Sequence, residues 1–356
     1  MKLKQLYSSF GYTKYRMSKF EEFELYIENK SFLENSKIIT FNDFNGRLMA
    51  LRPDVTLSIV KNAKPELLQK VYYSENVYRS VKGSSSVKEI LQTGLEVIGC
   101  LDAYTISEVL DLAVRSLMLL SEDCVLDLSH MGFISAILDK AELDEKHRRS
   151  IIAYLGEKNM HDIVTLCDSL GVDRSVTEKI TDLVKVSGKI SEALPIIKER
   201  FADESTAEYI SELEELYSAL SIRGSEGRIN IDFSVVNDLS YYSGIVFQGF
   251  INEAPQRVLS GGRYDKLLSK MGKGAGALGF AVYVGKLEQY SSTQNTYDAD
   301  VLLLYDKEVK AASVAAVVNK LTANGESIFV ARSDAQCEIK CRNRYLITKE
   351  GVSLDA

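Results

Sequence analysis

Gln92 and Glu96, four residues apart with Gly94 between them, are the polar pair in this sequence best suited to holding a small ligand. A carboxylate only accepts hydrogen bonds, whereas an amide both donates and accepts, so the two can meet different ends of one molecule. They lie in Glu89–Gly99, EILQTGLEVIG, which alternates as a strand does. Leu91, Thr93, Leu95 and Val97 point one way, and Gln92, Gly94, Glu96 and Ile98 point the other. A side chain at position 94 would cover the floor between the two polar groups. Glycine leaves room there for a ligand gripped from either side. On this stretch alone, a solvent-facing strand with two ordinary polar residues is the competing reading.

Few other residues offer chemistry. Asp54 and Thr56 follow Pro53 and can cap a helix through Leu57 and Val60; locally, capping alone accounts for both. Only three histidines occur, His130, His147 and His161, which excludes a histidine-rich metal centre and leaves a serine hydrolase few candidates for its base. The five cysteines are scattered and contain no Cys-x-x-Cys pair, so neither a zinc site nor a disulfide framework is indicated. Reduced thiols in a cytoplasm fit best. Gly272-Lys273-Gly274-Ala275-Gly276 is a loop without the order or the following helix of a phosphate-binding loop.

The elements that must position these residues follow in order. Residues 1–10 end a short helix at Gly11, and Glu21 to Leu33 reads as helical. Ile38–Phe41 and Arg47–Leu51 flank Asn45-Gly46, which suits a type I′ hairpin turn. Lys70–Arg79 is a strand, antiparallel to Glu89–Gly99 across a polar loop tipped by Gly83-Ser84-Ser85-Ser86. Ala103–Leu120 is an amphipathic helix, and Cys124–Leu128 a short strand. From Phe133 to about Leu220 the pattern is helical, without a strand, and His147 and His161 read as surface residues within it. Ile229, Ile231, Phe233 and Val235 then alternate, and Tyr241–Gln248 returns as a strand whose Tyr241 and Tyr242 face opposite ways. Gly261-Gly262-Arg263-Tyr264-Asp265 opens a helix. After a polar linker, strands at 298–305, 326–331 and 344–349 and a helix at 310–321 suggest a small α/β appendage.

At 356 residues, two or three domains are expected. The formal charge of −7 argues against a broad nucleic-acid-binding face. No run reaches membrane-spanning length.

In this order the pieces resemble the histidyl-tRNA synthetase family of class II synthetases, from residue 1 to about 290. Leu51-Arg52-Pro53-Asp54-Val55-Thr56 looks like the family's Leu-Arg-Pro-acid-x-Thr box. Tyr78-Arg79, the loop, and Gln92-x-Gly94-x-Glu96 look like motif 2 and its return strand; Tyr241-Tyr242-Ser243-Gly244 looks like the histidine-specific tyrosine box. Gly261-Gly262-Arg263-Tyr264-Asp265 and Gly279-Phe280-Ala281 look like the approach to motif 3. The resemblance implies an α+β fold: an antiparallel sheet of about six strands flanked by helices, with one ligand cleft. It implies a core at 1–132 and 223–292, a helical insertion at 133–222 and a short α/β C-terminal domain at 298–356. It also implies a histidine site in which Asp54 and Thr56 hold the amino group, while Gln92, Glu96, Tyr241 and Tyr242 hold the carboxylate end and the imidazole. Arg79 is a candidate anion contact.

The departures from the family pattern fall on one side of that cleft. The arginine expected before the tyrosine box is Asn237, the glutamate after the motif 2 arginine is Val81, and the motif 3 arginine is Lys286, preceded by Gly285. Ser18 replaces the motif 1 proline, and serines fill the motif 2 loop. Removing one donor to a charged transition state typically costs about 3 kcal/mol. The set therefore looks like the regulatory branch of the family, paralogues that serve ATP phosphoribosyltransferase in histidine biosynthesis. That likeness implies no catalytic residue, cofactor or metal. It implies a short-form catalytic subunit as partner, a homodimer within a hetero-oligomer, typically an octamer, and histidine as effector, in the cytoplasm. tRNA and membrane partners are not expected. The competing readings are a divergent ATP-dependent ligase and a histidine or tRNA sensor serving another partner.

Overall fold

The computed structural model describes residues 2–29, 38–80, 87–236, 242–287 and 297–354. The chain divides into two compact units, Met1–Tyr290 and Ser291–Ala356.

Among the described residues of the first unit, nine strands form one sheet. Their order is Thr13–Lys14, Gln69–Ser80, Val87–Gly99, Gly276–Val282, Leu259–Arg263, Ile245–Ile251, Cys124–His130, Ile229–Asp232 and Ser187–Lys189. Neighbours run antiparallel except at two places, where Thr13–Lys14 lies along Gln69–Ser80 and Ile229–Asp232 along Cys124–His130. The sheet is thus wider than the expected six strands and not purely antiparallel. One added strand, Ser187–Lys189, comes from the segment read as wholly helical; three residues are too few to show a period of two. Leu259–Arg263 carries the Gly261-Gly262 pair that was read as opening a helix; the helix starts only at Asp265.

The face bearing Leu95, Phe280, Phe247 and Leu128 is closed by the helix Ala103–Met118, which is N-capped by Asp102 through the Thr105 N–H. Ile106, Val109, Leu110, Ala113 and Leu117 of that helix are buried in the same cluster as the sheet. So are Leu138, Ile151, Leu155, Ile163, Ile180, Leu183, Ile197, Leu213 and Leu216 of the helical segment, which therefore shares the sheet's core. Leu170, at the end of one of those helices, is exposed. His161 is exposed, as expected, and the partly covered His147 leans on Asp144 at 2.8 Å.

A smaller sheet of Phe20–Glu22, Leu48–Leu51 and Thr40–Asn42 lies in the same unit. Its hairpin turn corrects the expected type I′ geometry. Gly46 takes φ +78° while Asn45 is not left-handed, and the Asp43 carboxylate accepts from the N–H groups of Asn45 and Arg47, both at 2.8 Å. The short acid organises the turn around itself, and one left-handed residue then suffices. The helix read over residues 21–33 spans Phe23–Glu28, because Phe20–Glu22 pairs with Leu48–Leu51 instead; residues 30–37 lie outside the described residues.

In the second unit, Ala299–Tyr305 is flanked by parallel Ile328–Arg332 and Cys341–Thr348, with Gly351–Leu354 added antiparallel. Val314 of the helix Ala311–Ala323 packs with Val301, Leu303 and Ile347. Cys341 starts a strand, and both it and Cys337 are free thiols.

Candidate functional site

The face of the large sheet that carries Glu96 is built on glycines. Glu96, Gly279 and Gly262 are register partners on three adjacent strands, so their side-chain directions share one face. The Glu96 side chain occupies the space above Gly279: a Cβ there would stand 1.7 Å from Oε2. The Tyr242 ring occupies the space above Gly262, where a Cβ would lie 2.6 Å from two ring carbons. A carboxylate and an aromatic wall therefore lie over neighbouring strands.

Glu96 is buried, 2% exposed, and held at both oxygens. The Thr56 hydroxyl donates to Oε1 at 2.8 Å, and the Tyr264 hydroxyl donates to Oε2 at 2.5 Å. Burial pushes its carboxyl up to about 8; the bonds from Tyr264 and Thr56 oppose that rise, and the nearby Asp54 charge adds to it. Burial thus favours the protonated form of this carboxyl more than in an exposed glutamate.

The chain reaches Thr56 through a sharp transition. After the strand Leu48–Leu51, Pro53 ends the pairing and the helix Thr56–Asn62 begins. Asp54 does cap it, accepting from the Leu57 N–H at 2.9 Å. Thr56 does not cap; it turns to Glu96. Arg52, fully buried, ties this corner to the Ser18 carbonyl, to the Asn76 carbonyl at 3.0 Å and to Glu75 at 3.2 Å. Arg79 donates through Nε to the Pro53 carbonyl at 2.9 Å and faces Asp54 at 3.8 Å.

The structure thus gathers Asp54, Thr56, Glu96 and Tyr242. Gln92 is buried on the same face of the same strand. The space between Gln92 and Glu96 is not open floor, however. Tyr73 is the register partner of Gly94 and lays its phenol on that glycine, where a Cβ would meet the hydroxyl at 2.7 Å. A ligand touching both polar groups rests on Tyr73 rather than on bare backbone. Tyr241 and Asn237 lie outside the described residues, as does Val81, and the Lys286 side chain is likewise not described.

Sequence reasoning missed Tyr264 and Tyr73 as parts of the site. Tyr264 stands between the glycine-rich strand Leu259–Arg263 and the helix Asp265–Lys270; that junction was the available signal. For Tyr73 there was none, because its role depends on the register with Gly94. Among the described residues no cluster of His, Cys, Asp and Glu suits a metal.

A family model described as Histidyl-tRNA synthetase matches residues 1–287. The ATP phosphoribosyltransferase regulatory subunit of Oceanobacillus iheyensis is 25% identical over 97% of this chain and 87% of its own length. A structure described as an ATP phosphoribosyltransferase regulatory subunit/histidyl-tRNA synthetase from Bacillus halodurans C superposes with a TM-score of 0.77 at 25% identity, covering 94% of this chain and 88% of that one. A chain of the ATP phosphoribosyl transferase (HisG:HisZ) complex from Thermotoga maritima superposes with a TM-score of 0.62, covering 80% of this chain and 95% of that one; at 19% identity the likeness is one of fold. With a family model spanning most of its length, the chain belongs to the histidyl-tRNA synthetase family.

Proposed function

We propose that this chain is the non-catalytic regulatory subunit of an ATP phosphoribosyltransferase, acting at the first step of histidine biosynthesis. It activates a short-form catalytic subunit and makes that enzyme sensitive to histidine. The effector occupies the cleft, with its amino group at Asp54 and Thr56, its imidazole at Glu96 beside Tyr242, and its remaining polar end at Gln92 and Tyr241. The chain dimerises through its synthetase-like core, residues 1–132 and 223–292, within a mixed octamer in the cytoplasm.

One asymmetry carries the reading. The residues that would recognise an amino acid are kept in the sequence, whereas on the ATP side an arginine is replaced by Asn237, a glutamate by Val81, an arginine by the less extended cation of Lys286, and the motif 2 loop is filled with serines. Adenylation places growing negative charge on phosphorus, and preorganised cations supply most of its stabilisation. The motif 2 arginine, Arg79, is kept, but it spends its Nε on the Pro53 carbonyl and sets a terminal nitrogen toward Asp54. The names of the relatives support the same assignment. Among the described residues, no helix is long and apolar enough to cross a membrane.

Histidine-dependent exchange of labelled pyrophosphate into ATP separates this reading from an active ligase. The purified chain is expected to give none above the protein-free blank. Robust exchange would establish the ligase instead.

A further inference from the structure

One oxygen of Glu96 is held by Tyr264, at the start of an excursion of the chain, and the other by Thr56, at the start of a helix which that excursion contacts. The backbone leaves the sheet after Arg263, runs through the helix Asp265–Lys270 and the Gly272-Lys273-Gly274 loop, and re-enters the sheet at Gly276. Two bonds close its neck: the Tyr264 N–H donates to the Ala277 carbonyl at 2.8 Å, and the Ala277 N–H to Asp265 Oδ1 at 2.9 Å. At the near end, the Tyr264 hydroxyl holds Glu96 Oε2.

At the far end, Lys273 Nζ donates to the carbonyls of Val60, Lys61 and Ala63, at 2.6, 2.8 and 2.7 Å. These carbonyls close the C-terminal end of the helix Thr56–Asn62, where backbone acceptors run out of helical partners and a cation is favoured. An ammonium has three donors, and here all three point at one helix end. Fixing so flexible a stem costs conformational entropy, which a merely solvated lysine avoids. The helix and the excursion also share an apolar cluster: Leu57, Val60 and Ala63 pack with Tyr264, Leu267 and Leu268. The first residue of that helix, Thr56, donates to the other oxygen of Glu96.

We propose that the Tyr264–Ala277 excursion positions Glu96 from both sides, directly through Tyr264 and, by way of Lys273 and the helix it grips, through Thr56. Lys273 is then a positioning residue for the ligand cleft. The proposal deepens the reading of that cleft as a histidine site, and only the binding arm of the test rests on that reading.

The test follows the titration of Glu96 in the ligand-free chain by carbon-13 NMR of its carboxyl. The groups facing Glu96 are Thr56 and Asp54 from the helix start, Tyr264 from the excursion and Tyr73 from the neighbouring strand. Lys273→Ala should raise the Glu96 midpoint, because a displaced helix withdraws the Thr56 donor from the carboxylate. Thr56→Val should raise it equally, and the double variant should rise no further than Thr56→Val alone. Lys273→Arg, which can donate to the same carbonyls, should restore the wild-type midpoint. A lysine that serves stability alone would lower the melting temperature and leave the midpoint in place. A folded Lys273→Ala chain with an unmoved midpoint, beside a shifted Thr56→Val chain, overturns the proposal. Should Lys273→Ala fail to fold, Lys273→Met keeps the stem and reads the same two outcomes. In calorimetry, Lys273→Ala should weaken histidine binding about tenfold. A wild-type chain that binds no histidine would remove the histidine reading while leaving the titration to decide the positioning role.

Discussion

The Thr56 hydroxyl donates to Glu96 Oε1 at 2.8 Å, joining the first residue of a short helix to a carboxylate in the middle of the sheet. The bond explains why a threonine follows Asp54 by two residues. Asp54 takes the capping role at the Leu57 N–H, which frees Thr56 to turn inward. It also makes Glu96 the point where the helix, the strand Val87–Gly99 and Tyr264 meet.

Glu96→Ala should weaken histidine binding by roughly a hundredfold, the loss expected when a charge-assisted hydrogen bond to the ligand disappears. The sheet should persist, since its pairing uses backbone groups on both sides of position 96. Calorimetry on a chain with wild-type circular dichroism checks this, and an unchanged affinity would remove Glu96 from the site.

Stability should depend on pH through the same residue. The Glu96 carboxyl titrates at about 8 in the folded chain, against 4.5 for an ordinary glutamate. Between those values the native state binds more protons than the unfolded state, so stability falls as pH rises. The slope contributed approaches ~1.4 kcal/mol per pH unit inside that window and vanishes above it. Urea unfolding at several pH values should show Glu96→Gln losing less stability than wild type across the window, with the two running parallel above it. Parallel curves throughout would contradict the buried, protonated carboxyl.

Gly279→Ala tests the glycine floor. The added methyl would stand 1.7 Å from Glu96 Oε2 and 2.4 Å from the Leu95 carbonyl. The side chain can move, but the backbone oxygen belongs to the paired strand. A cost of about 1–3 kcal/mol is expected, together with lost histidine binding. Because the backbone clash remains, removing the carboxylate in Gly279→Ala/Glu96→Ala should not restore thermal stability.

Arg79→Ala should lower stability by less than about 1 kcal/mol, because its ion pair with Asp54 is long and partly solvated. Denaturant midpoints measure this. A loss well above that would make Arg79 a structural keystone of the corner at Pro53.

The site was legible where it depended on local pattern. The period of two in EILQTGLEVIG placed Gln92 and Glu96 on one face, and the structure keeps them there. The pairing of Lys70–Arg79 with that strand also held, as did the helix after Asp102. What stayed hidden depended on register between distant segments. Gly94 reads as an opening until Tyr73 is known to lie opposite it, and Gly279 reads as a motif residue until Glu96 is known to fill its space. Tyr264 has no role legible in its own motif, because its hydroxyl meets a residue far away in the chain. The hairpin turn was misread because Asp43, just outside the Asn45-Gly46 pair, decides its geometry.

The central claim is that this chain regulates another enzyme's chemistry and performs none. Phosphoribosyl transfer to ATP by a short-form catalytic subunit, measured alone and with this chain added, tests it most directly. The account predicts faster turnover with the chain present, and suppression of that gain by histidine in the wild type but not in Glu96→Ala. A rate indifferent to the chain, with or without histidine, would contradict it.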